Sequence, residues 1–107
     1  MKPRSSTKAF ERVTEKRAKT VLRLYIAGSS ARSTTAIENA KQICEQYLDG
    51  RYELQIIDIF QQPKLAKDDQ ILAVPTLIRK LPAPLRRFIG DLSNRNVVLV
   101  GLDLKKK

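Results

Sequence analysis

The sequence predicts an α/β domain whose first half is a βαβ unit, and three stretches carry that reading. Val21 to Ile26 is a short apolar run broken only by Arg23, with Leu22, Leu24 and Ile26 on one face, which is strand patterning. Residues 31–48 repeat apolar side chains at spacings of three and four, which makes one stripe along a helix. Tyr52 to Phe60 is a second strand carrying Leu54, Ile56, Ile57 and Ile59. Strand, amphipathic helix and strand within about 40 residues make two parallel strands joined by a right-handed crossover.

The connecting residues fit this order. Ala27-Gly28-Ser29-Ser30 is a turn leading into the helix, and Ser30 or Ser33 can cap it. The helix stripe runs through Ile37, Ala40, Ile43 or Cys44, and Tyr47 or Leu48, and Gly50 closes it. In the second half Pro63 opens a short helix, Lys64 to Gln70. Ile71 to Ile78 is apolar but holds Pro75, which lacks an N–H for a ladder and so marks a strand edge or a strand start. Leu81-Pro82-Ala83-Pro84-Leu85 favours extended backbone. Val97 to Leu102 carries two signals at once. Its valines favour a strand, while Ser93 offers a cap with Arg95 and Asn96 in a first helical turn.

Composition bounds the function. The chain has 107 residues, 42% hydrophobic and 30% charged, which suits one globular domain at 20–104. There is no histidine and a single cysteine, so the commonest general base is missing and neither a CxxC pair nor a Cys/His zinc cluster is available. No cofactor or metal is expected. No apolar run reaches the length of a membrane span, and with one thiol a reducing cytoplasm is the expected compartment. The net charge of +10 is uneven: residues 1–19, read as a basic flexible arm, hold +5, and Lys105-Lys106-Lys107, a basic tail, hold +3. Basic ends favour solubility or weak attraction to acidic partners over specific nucleic-acid binding, which is not expected here.

Several constellations have a bland reading beside a chemical one. Gly28-Ser29-Ser30 sits where a βαβ unit can hold an anion, but no Walker or GxGxxG pattern accompanies it, and an ordinary capped turn is favoured. Val74-Pro75-Thr76 resembles the proline before a strand in thioredoxin-like domains, yet Ser29 to Ser33 has no cysteine to face it, and Cys44 falls on the helix stripe as a core residue. Asp68-Asp69 reads as solvated surface charge. Arg86-Arg87 suits recognition of carboxylates or phosphates, and equally suits a charged sheet edge that deters aggregation.

Four stretches together resemble the KaiB family: Leu22-Arg23-Leu24-Tyr25-Ile26-Ala27-Gly28, Ala73-Val74-Pro75-Thr76-Leu77, Leu81 through Arg95, and Val98 through Leu104. The resemblance runs from about Thr20 to Leu104 without gaps. It implies a non-enzymatic clock protein that binds a KaiC-type ATPase and modulates its phosphorylation and ATPase cycle, in circadian timing or a related stress response. KaiA or a histidine kinase are the further partners it implies. A catalytically silent thioredoxin-like adaptor is the alternative.

The resemblance also implies a metamorphic domain, with a ground-state homotetramer or dimer of βαββααβ order and a rare thioredoxin-like monomer of βαβαββα order. The ground-state oligomer is the form expected. Arg23, Thr76, Arg86 and Arg87 are the partner-binding candidates, and Pro75, Pro82, Pro84, Gly101 and Asp103 the fold-switch candidates. By the same resemblance, Gly101→Ala with Asp103→Arg is expected to favour the monomer. Thr34-Thr35-Ala36-Ile37, Gln55 and the lysine end depart from the common family pattern.

Overall fold

The structure is a computed structural model that describes residues 19–104. The basic arm, apart from Lys19, and the lysine tail lie outside the described residues. The elements are β1 (Thr20–Ile26), α1 (Ala31–Tyr47), β2 (Tyr52–Asp58), α2 (Pro63–Asp68), β3 (Thr76–Leu81), β4 (Arg86–Ile89) and α3 (Arg95–Gly101). They build one four-stranded sheet of order β2-β1-β3-β4. β1 and β2 run parallel, in register from Thr20 opposite Tyr52 to Ile26 opposite Asp58, as the βαβ reading requires. β3 lies antiparallel to both β1 and β4.

Strand alternation divides the sheet into two faces. Leu22, Leu24, Ile26 and Leu77 point to one face and pack under α1 (Ala36, Ala40, Ile43, Cys44) and α3 (Val98, Leu102). Tyr25, Ile57 and Ile78 point to the other, where Leu65 and Ala66 of α2 cover them. Ser30 caps α1, its hydroxyl accepting from Ser33 N–H at 3.1 Å. The buried centre of the α1 stripe is Ala36, Ala40 and Ile43, with Ile37 at its partly buried margin. Small alanines there let the helix sit close to β1.

The order βαβαββα is the thioredoxin-like one, so the ground-state order expected from the sequence is not the arrangement adopted. The physical reason lies in Val97–Leu102. As a helix it buries Val98 and Leu102, four residues apart, against the sheet. The valines' strand propensity is outweighed by that burial. The cap is Asn94 rather than Ser93: its side-chain oxygen accepts from Val97 N–H at 3.3 Å. Ser93 instead donates its N–H to the Asp91 carboxylate at 3.1 Å.

Three boundaries also move. β2 ends at Asp58, not Phe60, because the Asp58 carboxylate accepts from Phe60 N–H at 2.9 Å and turns the chain. α2 starts at Pro63 and stops at Asp68, since Gln70 adopts a positive φ of 56°. Pro75 precedes β3, which begins at Thr76 and runs on to Leu81.

Candidate functional site

The α2 face of the sheet carries a polar cluster that joins residues distant in sequence. Arg23 on β1 and Lys80 on β3 project from neighbouring strands, and the end of α2 delivers Asp69 between them. Arg23 Nη1 lies 2.9 Å from Asp69 Oδ2, and Lys80 Nζ lies 2.7 Å from Asp69 Oδ1. The buried Tyr25 donates its hydroxyl proton to Asp69 Oδ2. Arg23 Nε donates to Gln55 Oε1 on β2 at 3.0 Å. Arg87 on β4 adds a second clamp, its guanidinium donating to the main-chain carbonyls of Asp69 at 3.0 Å and Gln70 at 3.2 Å. The Asp69 carboxylate thus pairs with cations from two strands, the main chain beside it holds a third from β4, and the cluster keeps a net positive charge.

The electrostatics follow from this packing. Burial opposes ionisation of Asp69, but hydrogen bonds from Lys80, Tyr25 and Arg23 outweigh it and hold the carboxyl below its ordinary value. Burial also works against the charged form of Arg23, and is overcome by hydrogen bonds to Tyr25 and Asp69 that raise its pKa. Burial, then the bond to Asp69, pushes the Tyr25 hydroxyl up.

The partner-binding candidates separate. Arg23 and Arg87 meet across the α2 end, 2.9 Å and 3.0 Å from the side chain and main chain of the same Asp69. Arg86 alternates to the opposite face, across from Arg79. Thr76 is 1% exposed and its hydroxyl donates to the Ala73 carbonyl at 2.6 Å, closing the turn before β3. Asp69, which the sequence reads as solvated surface charge, is instead nearly buried at the centre of the cluster, and Lys80 and Tyr25 join it as further site residues. Strand alternation from Arg23 to Tyr25 could have flagged Tyr25. The chain fold that brings Asp69 to β1 leaves no trace at a distance of 46 positions.

The fold-switch candidates lie in the second half. The Val74–Pro75, Leu81–Pro82 and Ala83–Pro84 bonds are cis. The Pro75 carbonyl accepts from Gly90 N–H at 2.9 Å, and the Pro84 carbonyl accepts from Arg79 at 2.8 Å. Gly101 ends α3 with Phe88 beside it: an added Cβ would stand 3.3 Å from Phe88 Cδ1. Asp103 has a positive φ of 56°, and its carboxylate lies 3.8 Å from Arg79 Nη1.

Among the described residues no group of His, Cys, Asp and Glu side chains could hold a metal. Cys44 is buried under α1, and burial pushes its thiol up to about 12, which holds it protonated near neutral pH. No helix among the described residues is long and apolar enough to cross a membrane.

Fold and site define a thioredoxin-like domain without the thioredoxin cysteines. The architecture overlays on mitochondrial thioredoxin 3 of Saccharomyces cerevisiae with a TM-score of 0.65 at 17% identity, covering 89% of this chain and 87% of that one. It overlays equally on the N-terminal domain of Synechococcus elongatus SasA, with a TM-score of 0.65 at 20% identity, covering 83% of this chain and 88% of that one. At these identities the likeness is one of fold.

Sequence comparison assigns the family. The KaiB domain model matches residues 23–104, and the chain belongs to the KaiB family. It is 51% identical over 84 residues to the circadian clock protein KaiB3 of Synechocystis, covering 78% of this chain and 82% of the relative. The circadian clock oscillator protein KaiB of Trichodesmium erythraeum matches at the same identity, covering 78% and 81%.

Proposed function

We propose that this chain is a non-enzymatic cytoplasmic regulator that binds a KaiC-type ATPase and modulates its phosphorylation and ATPase cycle. The observation that carries the reading is the cationic cluster of Arg23, Lys80 and Arg87 around Asp69 on a domain of the KaiB family. Fixed cations on strands suit an acidic protein surface, because their geometry is set before the partner arrives. Arg23 and Arg87 are the core of that surface. Thr76 supports it from beneath by closing the turn before β3, and Arg86, on the other face of β4, stands at its margin and contributes least.

The proposal includes a rearranging second half. Gly101 and Asp103 stand at the end of α3, and Pro75, Pro82 and Pro84 at the joints on either side of β3. These are the positions where a change between helix and strand at 97–102 would be decided. In the other arrangement the chain is a homotetramer or dimer. KaiA and a histidine kinase are further partners under this reading, in circadian timing or a related stress response. The thioredoxin-like overlay on the SasA domain favours one second reading, a silent adaptor that docks elsewhere through the same fold.

The test is a pull-down of the KaiC-type ATPase from the same genome by purified chain, after hours of incubation with ATP. Retention of the ATPase, with its phosphorylation altered, is the expected result. No retention from an intact, folded chain contradicts the reading and leaves the adaptor.

A further inference from the structure

One buried cation takes no part in the Asp69 cluster. Arg79 lies on β3, a central strand, opposite Leu22 of β1 and Arg86 of β4, and is only 3% exposed. Strand alternation puts it on the same face as Leu77, under α3. A guanidinium taken out of water opposes folding unless hydrogen bonds meet it. Its acceptors come from two separate segments. Nη1 donates to the carbonyls of Leu102 at 2.9 Å and Asp103 at 3.2 Å, past the end of α3. Nη2 donates to the Pro84 carbonyl at 2.8 Å, in the turn between β3 and β4. Nε has no partner among the described residues, so the hold rests on the two nitrogens of the fork.

Both segments depend on that hold. The bonds that finish α3 run from Asp103 N–H to the Val100 carbonyl at 3.1 Å and from Leu104 N–H to the Leu99 carbonyl at 2.8 Å. Asp103 then turns the chain with a positive φ of 56°, and the Leu102 and Asp103 carbonyls are left to Arg79. A cation is favourably placed at this carbonyl end of a helix, and the Asp103 carboxylate, 3.8 Å from Nη1, balances its charge. Among the described residues, the turn 82–85 makes no other hydrogen bond to the rest of the chain.

We propose that Arg79 is the latch of the second half, a positioning residue that ties the end of α3 and the β3–β4 turn to the sheet as one unit, so that loosening either loosens the other. A planar fork reaches both segments at once, which a single ammonium cannot do. The coupling extends to Arg87, because β4 leaves directly from the turn that Arg79 holds. The consequence for partner binding rests on the proposed function, and the coupling itself does not.

The experiment is amide hydrogen exchange of the full chain, followed in ¹H–¹⁵N spectra, for the wild type, Arg79→Met and Arg79→Lys, each with and without Val98→Ala. The reporters are the amides of Leu102 and Leu104 at the end of α3, of Arg86 across from Arg79, and of Leu24 on β1 as the reference. Val98 is fully buried, so Val98→Ala loosens α3 directly. With Arg79 in place it should speed exchange at Leu102, Leu104 and Arg86 by at least about tenfold, and at Leu24 by less than about threefold. With Arg79→Met or Arg79→Lys, adding Val98→Ala should still speed Leu102 and Leu104 but change Arg86 by less than about threefold. Undiminished acceleration at Arg86 in both Arg79 variants overturns the latch, as does a response confined to α3 when Arg79 is present. An acceleration that Leu24 shares equally marks global opening and likewise overturns it. Full coupling retained in Arg79→Lys overturns the role of the fork. The lysine variant keeps the buried charge, so it carries the test if Arg79→Met does not fold.

Discussion

Beneath α1 and α3 the sheet buries a continuous apolar layer in which Leu22, Leu24, Leu77, Val98 and Leu102 interlock. Beneath α2 it buries Tyr25, Ile57 and Ile78, and the contact is completed by charges gathered on Asp69. The first face is held by area removed from water, which is insensitive to pH and salt. The second is held by paired charges, whose strength depends on both. A short helix that buries no residue of its own completely cannot be fixed by apolar burial alone. The ion pairs fix it and leave an excess of positive charge, which under the proposed function faces the partner.

Breaking the apolar face should have the largest effect. Leu24→Ala removes a fully buried side chain between α1 and the sheet and should cost about 3 kcal/mol, read as a shift of the urea midpoint. Asp69→Asn, on the polar face, should cost about 1–2 kcal/mol, because Arg23 and Lys80 lose their ionic partner but keep access to water.

The same variant carries the pH signature. The folded-state Asp69 carboxyl titrates below its unfolded value, so its contribution is complete above the unfolded carboxyl range. That contribution is lost as pH falls through the folded-state value. The gap in stability between wild type and Asp69→Asn should therefore close on acidification, measured by urea unfolding at a series of pH values. Leu24→Ala should show no such closing.

Cys44 sharpens the contrast from the apolar side. With its thiol pushed up to about 12, alkylation by iodoacetamide at pH 8 should be at least about a hundredfold slower in the folded chain than in urea. The smallest effect is expected for Gly101→Ala. Gaining a helix former adds up to about 1 kcal/mol to α3, less what the half-buried Phe88 ring spends in moving aside, and thermal unfolding would read the difference.

Legibility in the sequence follows the same division. Leu22, Leu24, Ile26, Ala40, Ile43 and Cys44 were readable as core because burial imposes periods of two and of three to four on adjacent residues. Arg87 stood out as half of an arginine doublet, Arg23 only through family resemblance, and Asp69 read as solvated surface charge, because a charge pair between strands and a loop has no period. Val97 to Leu102 was ambiguous for a physical reason. Its valines favour a strand and the Ser93 to Asn96 stretch ahead of it a helix start, and burial of Val98 and Leu102 decided between them. Arg79 was passed over within an apolar strand, where its burial depends on carbonyls more than 20 positions away at Leu102 and Asp103.

The central claim is that the α2 face, not the sheet edge as a whole, receives the partner. Arg86 and Arg87 are neighbours in sequence on opposite faces, so they form a matched pair. The decisive measurement is the affinity of Arg86→Glu and Arg87→Glu chains for the KaiC-type ATPase at one ionic strength. The account predicts a loss of more than about tenfold for Arg87→Glu and less than about threefold for Arg86→Glu. Equal losses from the two folded variants would contradict it.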